Sequence, residues 1–141
     1  MLKGISNRIS PDLIKVLMEM GHGDELVLAD GNFPAASHAK RLVRCDGHAI
    51  PELMADILSL LPVDANAKHA FALMKVDPGD PAETPIWEQY RAIAAEHSGN
   101  DQPFEQMERQ AFYDRVKNAY AVVATSESAL YANLIIRKGV I

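Results

Sequence analysis

Cysteine is nearly missing: Cys45 stands alone in 141 residues. One thiol excludes any intrachain disulfide, and with it the stapled frameworks of small secreted domains. The composition suits a reducing compartment, so a cytoplasmic protein is expected. No apolar stretch approaches the roughly 18 residues that a bilayer-spanning helix requires. Met1-Leu2-Lys3-Gly4-Ile5-Ser6 lacks the apolar core of a signal peptide. Positive charge is also scarce, with 14 Lys and Arg against 19 Asp and Glu, a net charge of −5. A nucleic-acid partner selects the opposite balance. There is no run of about five basic residues to hold the chain to an anionic membrane. The usual metal and cofactor motifs are missing too. His22, Asp24, Asp30 and His38 are plausible ligand types, but no CxxC, HxxxH or HxH spacing occurs, so the metal signal is weak. There is no GxSxG elbow, and Cys45 lacks a partnered-histidine signature. Gly21-His22-Gly23 is no phosphate loop, because it lacks a third glycine and follows a helix rather than a strand. A protein without metal or cofactor is the expectation.

What is present is ordinary globular material: 48% apolar and 23% charged residues. The length fits one domain, residues 1–141, with a sizeable core. Ser10-Pro11-Asp12 combines an N-cap, a proline suited to the first helical position and an acid at the positive helix end. Leu13, Ile14, Leu17 and Met18 follow at helical spacing, and Gly21 is placed to end the helix in the left-handed conformation. Glu25 to Ala29 reads as a buried strand, and Asp30-Gly31-Asn32-Phe33-Pro34 as a loop. Leu42-Val43-Arg44 is a second short strand. Pro51 starts a helix carrying Leu53, Met54, Ile57, Leu58 and Leu61 on one face. Ala70 to Val76 is a strand, and Asp77-Pro78-Gly79-Asp80-Pro81 a loop. Pro85 to His97 is a helix, broken at Ser98-Gly99-Asn100-Asp101. The pattern then predicts a helix from about Phe104 to Asn118, a strand at Ala121–Ala124 and another at Leu134–Ile136. Strands alternating with helices define a three-layer α/β/α domain with a mostly parallel or mixed sheet.

Two clusters carry candidate chemistry. His22 differs from His38, His48, His69 and His97 in its setting. Glycines on both sides leave its imidazole uncrowded, just beyond a helix and just before a strand. It reads either as an exposed polar residue of a helix cap or as an acid–base group. Asp24 and Asp30 are near in sequence, and a carboxylate can orient an imidazole that titrates near neutrality. His38 follows Ser37 in the loop after Pro34 and could approach a site formed there. In the C-terminal half, Arg109 is either a solvated helix charge or a ligand-binding group. Tyr131 is either a core ring or, with Asn133, part of a binding site. Sugars need several fixed donors and acceptors, which Arg, Asn, Asp and Tyr supply.

The ordered set Gly21-His22-Gly23-Asp24-Glu25, Ala29-Asp30, Phe33-Pro34-Ala35, Ala111-Phe112-Tyr113, Tyr131-Ala132-Asn133 and Lys138-Gly139-Val140 resembles the L-fucose mutarotase family, a branch of a group that also holds the D-ribose pyranases. The resemblance covers nearly the whole chain. It implies an enzyme that interconverts the α and β anomers of a free monosaccharide without a cofactor. His22 matches the family's proton donor. Asp30, Arg109, Tyr131 and Asn133 match its substrate-binding positions, with Tyr131 a second candidate for proton transfer. The resemblance also implies a ring-shaped homo-oligomer, typically a decamer, with sites near subunit contacts. Arg109 stands where the ribose branch tends to carry histidine, which favours the fucose side. The alternatives are pyranose–furanose exchange on a sugar such as D-ribose, a sugar-binding module without turnover, and a metal-dependent hydrolase or isomerase using His22 and Asp30.

Overall fold

The first helix begins where its caps are written. In the computed structural model, which describes residues 1–99 and 101–141, Ser10 Oγ accepts the Leu13 amide hydrogen at 3.1 Å, and Pro11 opens α1 (Pro11–Glu19). Leu13, Val16 and Leu17 are buried, three and four residues apart on one face. Met18, expected to share that face, is 81% exposed. Five residues beyond Leu13, it is turned well round the helix. The helix exit also differs from expectation. Met20 ends α1 in extended backbone, and the left-handed residue is Gly23 (φ +85°) rather than Gly21. The Asp24 carboxylate accepts the Gly21 amide hydrogen at 2.7 Å and holds the turn open. A Cβ at Gly23 would stand 3.3 Å from the Arg137 guanidinium, so a side chain there meets both strain and a neighbour.

The described residues then give β1 (Glu25–Ala29), α2 (Ala35–His38), β2 (Leu42–Cys45), α3 (Ile50–Leu58), β3 (Phe71–Met74), α4 (Pro85–Ser98), β4 (Glu105–Met107), α5 (Arg109–Asn118), β5 (Ala121–Thr125) and β6 (Leu134–Arg137). The strands form one sheet in the order β2-β5-β1-β6-β3-β4. Strand β6 runs antiparallel to β1 and β3, while the other pairs are parallel, so the sheet is mixed. Every residue of β3 and β5 is buried, as is β1 beyond Glu25. Such strands need cover on both faces, which the helices provide in a three-layer α/β/α arrangement.

One expected helix is partly a strand. Glu105, Gln106 and Met107 favour helix locally, yet they pair in parallel with Ala72, Leu73 and Met74. Phe104 stacks on Phe71 at 4.7 Å between ring centroids and fixes that edge. Tertiary pairing therefore overrides propensity until Arg109, where α5 begins. The short α2, in a segment read as loop, and the shorter extent of β3 are further differences. Gly99 ends α4 in left-handed backbone (φ +63°), at the expected break. Asn100, also assigned to that break, lies outside the described residues. Arg115 ties α5 to two strands, donating to Glu25 at 2.7 and 3.0 Å and to Glu105 at 2.8 Å.

Candidate active site

Because β6 is reversed, its first residues share an edge of the sheet with the C-terminal ends of β1, β3 and β4. Loops at that edge of an open α/β sheet are the usual place for a ligand. An open cavity of about 260 Å³ lies there. Asp30 enters it from the end of β1, Asn133 from just before β6, Arg109 from the start of α5, and Tyr131 from the loop before β6. Phe33, Met74 and Leu130 add an apolar wall, and Asn32, Asp80 and Tyr113 line it as well.

The polar groups are held from behind. Asn133 Oδ1 accepts the Asp30 amide hydrogen at 2.8 Å, which joins the two strand ends. The Asn32 amide donates to Asp30 Oδ1 at 3.0 Å. Burial pushes the Asp30 carboxyl above its ordinary range. The Asn32 and Phe33 amides and Asn133 oppose this, while the Glu127 charge adds to it. Arg109 donates to Asp77 Oδ2 at 2.5 and 3.2 Å, and that ion pair, helped by Tyr113, raises the guanidinium pKa further.

Tyr131 has a left-handed backbone (φ +54°), which is costly for a residue with a side chain. Two buried donors from α4 hold it there. Trp87 Nε1 donates to the Tyr131 carbonyl at 2.8 Å, and the Tyr90 hydroxyl donates to the Ala132 carbonyl at 2.8 Å. Glu127 fixes the start of the same loop. Its carboxylate accepts the Ser128 and Ala129 amides at 2.9 Å each, and the Ile50 amide at the start of α3 at 3.1 Å. The Tyr131 ring ends in a hydroxyl that donates to Asp80 Oδ2 at 2.5 Å and accepts the Asp77 amide hydrogen at 3.3 Å.

Asp30, Arg109, Tyr131 and Asn133 thus line one cavity, although 103 residues separate Asp30 from Asn133. His22 does not line it. It precedes β1, whereas Asp30 follows it, so the strand alone separates them by roughly 16 Å. Nor do its carboxylate neighbours in sequence pair with it. His22 Nε2 lies 3.6 Å from Asp64 Oδ2, which also accepts from Arg137 Nε at 3.0 Å. Burial pushes the Asp64 carboxyl up, but the Asn66 amide, Arg137 and His22 together outweigh it and hold it below its ordinary value. The His22 side chain is 52% exposed. His38 stands behind the cavity wall, edge-on to Phe33 at 5.9 Å and to Tyr113 at 5.4 Å. Asp77 and Asp80, read only as loop formers, are the acidic groups that sequence reasoning missed. Their place directly after a buried strand was the available signal. Among the described residues, no three or more His, Cys, Asp or Glu side chains are grouped to hold a metal ion.

Fold and site together define an α/β domain with a polar, partly apolar-walled cavity suited to a small polyhydroxylated ligand. The chain belongs to the RbsD / FucU transport protein family, whose model matches residues 3–141. It is 50% identical over 146 residues to the fucose mutarotase of Danio rerio, covering 99% of this chain and 94% of that one. It is 48% identical over 140 residues to the L-fucose mutarotase of Actinobacillus pleuropneumoniae serotype 5b, covering 99% and 97%. The crystal structure of the Streptococcus pneumoniae fucose mutarotase in complex with L-fucose superimposes with a TM-score of 0.95 at 50% identity, covering 99% of both chains. The Bacillus subtilis RbsD structure complexed with D-ribose shares the fold at a TM-score of 0.78 and 22% identity. No helix among the described residues is long and apolar enough to cross a membrane.

Proposed function

We propose that this chain, as one mutarotase-like domain over residues 1–141, interconverts the α and β anomers of L-fucose by acid–base ring opening and reclosure. The observation that carries the reading is the convergence of Asp30, Arg109, Tyr131 and Asn133 on one cavity, in a fold shared with an L-fucose-bound relative. Asp30, Arg109 and Asn133 hold the sugar hydroxyls. The wall of Phe33, Met74 and Leu130 receives the methyl group and C–H face of a 6-deoxy sugar.

Ring opening requires a proton at the ring oxygen and loss of one from the anomeric hydroxyl. The C1–O5 bond breaks, its electron pair stays on the ring oxygen, and the anomeric oxygen becomes the aldehyde. The aldehyde turns about C1–C2 and closes on its other face, with no redox step and no covalent adduct. His22 supplies the ring-oxygen proton and Tyr131 handles the anomeric one. His22 and the cavity lie at opposite ends of β1, so in this reading His22 reaches the sugar from a neighbouring copy. A proton donor from a neighbouring copy requires a homo-oligomer, and a ring-shaped decamer is the form proposed. The single buried Cys45 supports a cytoplasmic location.

Saturation-transfer NMR on L-fucose at anomeric equilibrium tests the reading. The protein speeds α/β exchange, and His22→Ala falls to near the uncatalysed rate with its fold unchanged. Mixed oligomers of His22→Ala and Tyr131→Phe regain partial activity, because some sites receive both native groups. A fully active His22→Ala ends the assignment. Faster exchange on D-ribose than on L-fucose reassigns the substrate, and sugar binding without exchange reduces the protein to a binding module.

A further inference from the structure

The reaction needs a base at the anomeric hydroxyl, and a neutral phenol is a poor one. If Tyr131 took a proton and kept its own, it would become an oxonium. The structure gives its proton somewhere to go. Tyr131 Oη donates to Asp80 Oδ2 at 2.5 Å, and Asp80 lines the same cavity. The carboxylate is itself fixed. Its Oδ1 accepts the Ala82 amide hydrogen at 2.9 Å, and the Asp80 amide donates to the Asp77 carbonyl at 3.0 Å. The Asp77 side chain is in turn held by Arg109, so one short loop joins the sugar-binding arginine to the phenol.

We propose that Asp80 acts through Tyr131 as the terminal proton acceptor for the anomeric hydroxyl, a step that rests on the sugar-exchange reading above. As the anomeric O–H passes its proton to Tyr131 Oη, the phenolic proton passes to Asp80 Oδ2. Tyr131 stays neutral throughout, the anomeric C–O becomes C=O, and His22 of the partner subunit protonates the departing ring oxygen. Reclosure runs both transfers backwards, so no proton is gained or lost. The Tyr131 bond, with the Ala82 amide, holds the Asp80 carboxyl below its ordinary value. Asp80 is therefore ionised at neutral pH, the form that has a site for the proton. The same bond holds Tyr131 above its ordinary phenol value, in its neutral form.

Asp80→Asn keeps the side chain's shape and takes up no proton. Its single amide oxygen serves either the Tyr131 hydroxyl or the Ala82 amide, so the split between kcat and KM is what separates lost proton acceptance from a shifted loop. Asp80 stands in an exposed loop, so the substitution leaves the core intact, which circular dichroism verifies. Exchange at saturating L-fucose falls roughly a hundredfold while KM changes little, the pattern of an interaction used in the transition state. The double variant Asp80→Asn/Tyr131→Phe is no slower than Tyr131→Phe alone, because the two groups form one path. Asp80→Asn at full speed beside a slow Tyr131→Phe overturns the proposal and leaves Tyr131 standing. A raised KM with unchanged kcat also overturns it, and makes Asp80 a sugar ligand. A fully active Tyr131→Phe removes both Tyr131 and the path behind it, without touching the sugar-exchange assignment, which the exchange assay on L-fucose tests separately.

Discussion

Tyr90→Phe removes one oxygen atom from the core. Tyr90 is completely buried on α4, and its hydroxyl donates to the Ala132 carbonyl at 2.8 Å. The variant keeps the ring and its packing, and leaves a void smaller than a methyl group. The cost is one hydrogen bond and a carbonyl stranded away from water, about 1–2 kcal/mol together. For a chain of this size that is a fall in Tm of roughly 3–7 °C. Urea unfolding at fixed protein concentration measures it, with the fluorescence of Trp87 as the probe. This tryptophan is the only one in the chain, and its ring donates to the neighbouring Tyr131 carbonyl. Burial, with help from Glu127 and Asp30, pushes the Tyr90 phenol well above its ordinary range. The hydroxyl therefore stays a donor, and the loss is the same at pH 6 and pH 9. Because Ala132 lies between Tyr131 and Asn133, KM for the sugar rises as well. A loss below about 0.3 kcal/mol refutes the claim that this bond holds the strained loop, since an orphaned buried carbonyl costs more than that. A loss that grows steeply with pH refutes the neutral-donor assignment.

Asp30→Asn exchanges function for stability. The folded carboxyl is raised by burial, so its contribution to stability is complete below the unfolded pKa and is lost as pH rises through the folded one. The variant consequently gains on the native protein between pH 3 and pH 7 in urea titrations, while anomer exchange falls; a difference independent of pH contradicts the assignment. At the other end of the sheet, Gly139→Ala drives a Cβ to 2.5 Å from the Val63 carbonyl oxygen and 2.8 Å from Asp64 Cα. These are backbone atoms that cannot swing aside, so the cost is about 1–3 kcal/mol. Calorimetry showing native stability refutes the close approach.

The sequence alone determined the elements whose causes are local. Ser10-Pro11 caps a helix because the capping oxygen and the missing N–H act within one turn. Continuous apolar runs made β1 and β5 strands buried on both faces, and the alternation of elements fixed the layer class. The types of residue suited to a sugar were also legible, as were the distant motifs that match one family. Only the tertiary structure decided what depends on pairing between distant segments. The polar, helix-favouring Glu105–Met107 became a strand because β3 offered an open edge. The reversal of β6 brought Asn133 to the end of β1, and α4 forced Tyr131 into backbone that its own sequence disfavours. His22 and Asp30, eight positions apart, went to opposite edges because a strand between them is extended. Asp80, 51 positions from Tyr131, came within 2.5 Å of its hydroxyl because two loops share one edge of the sheet.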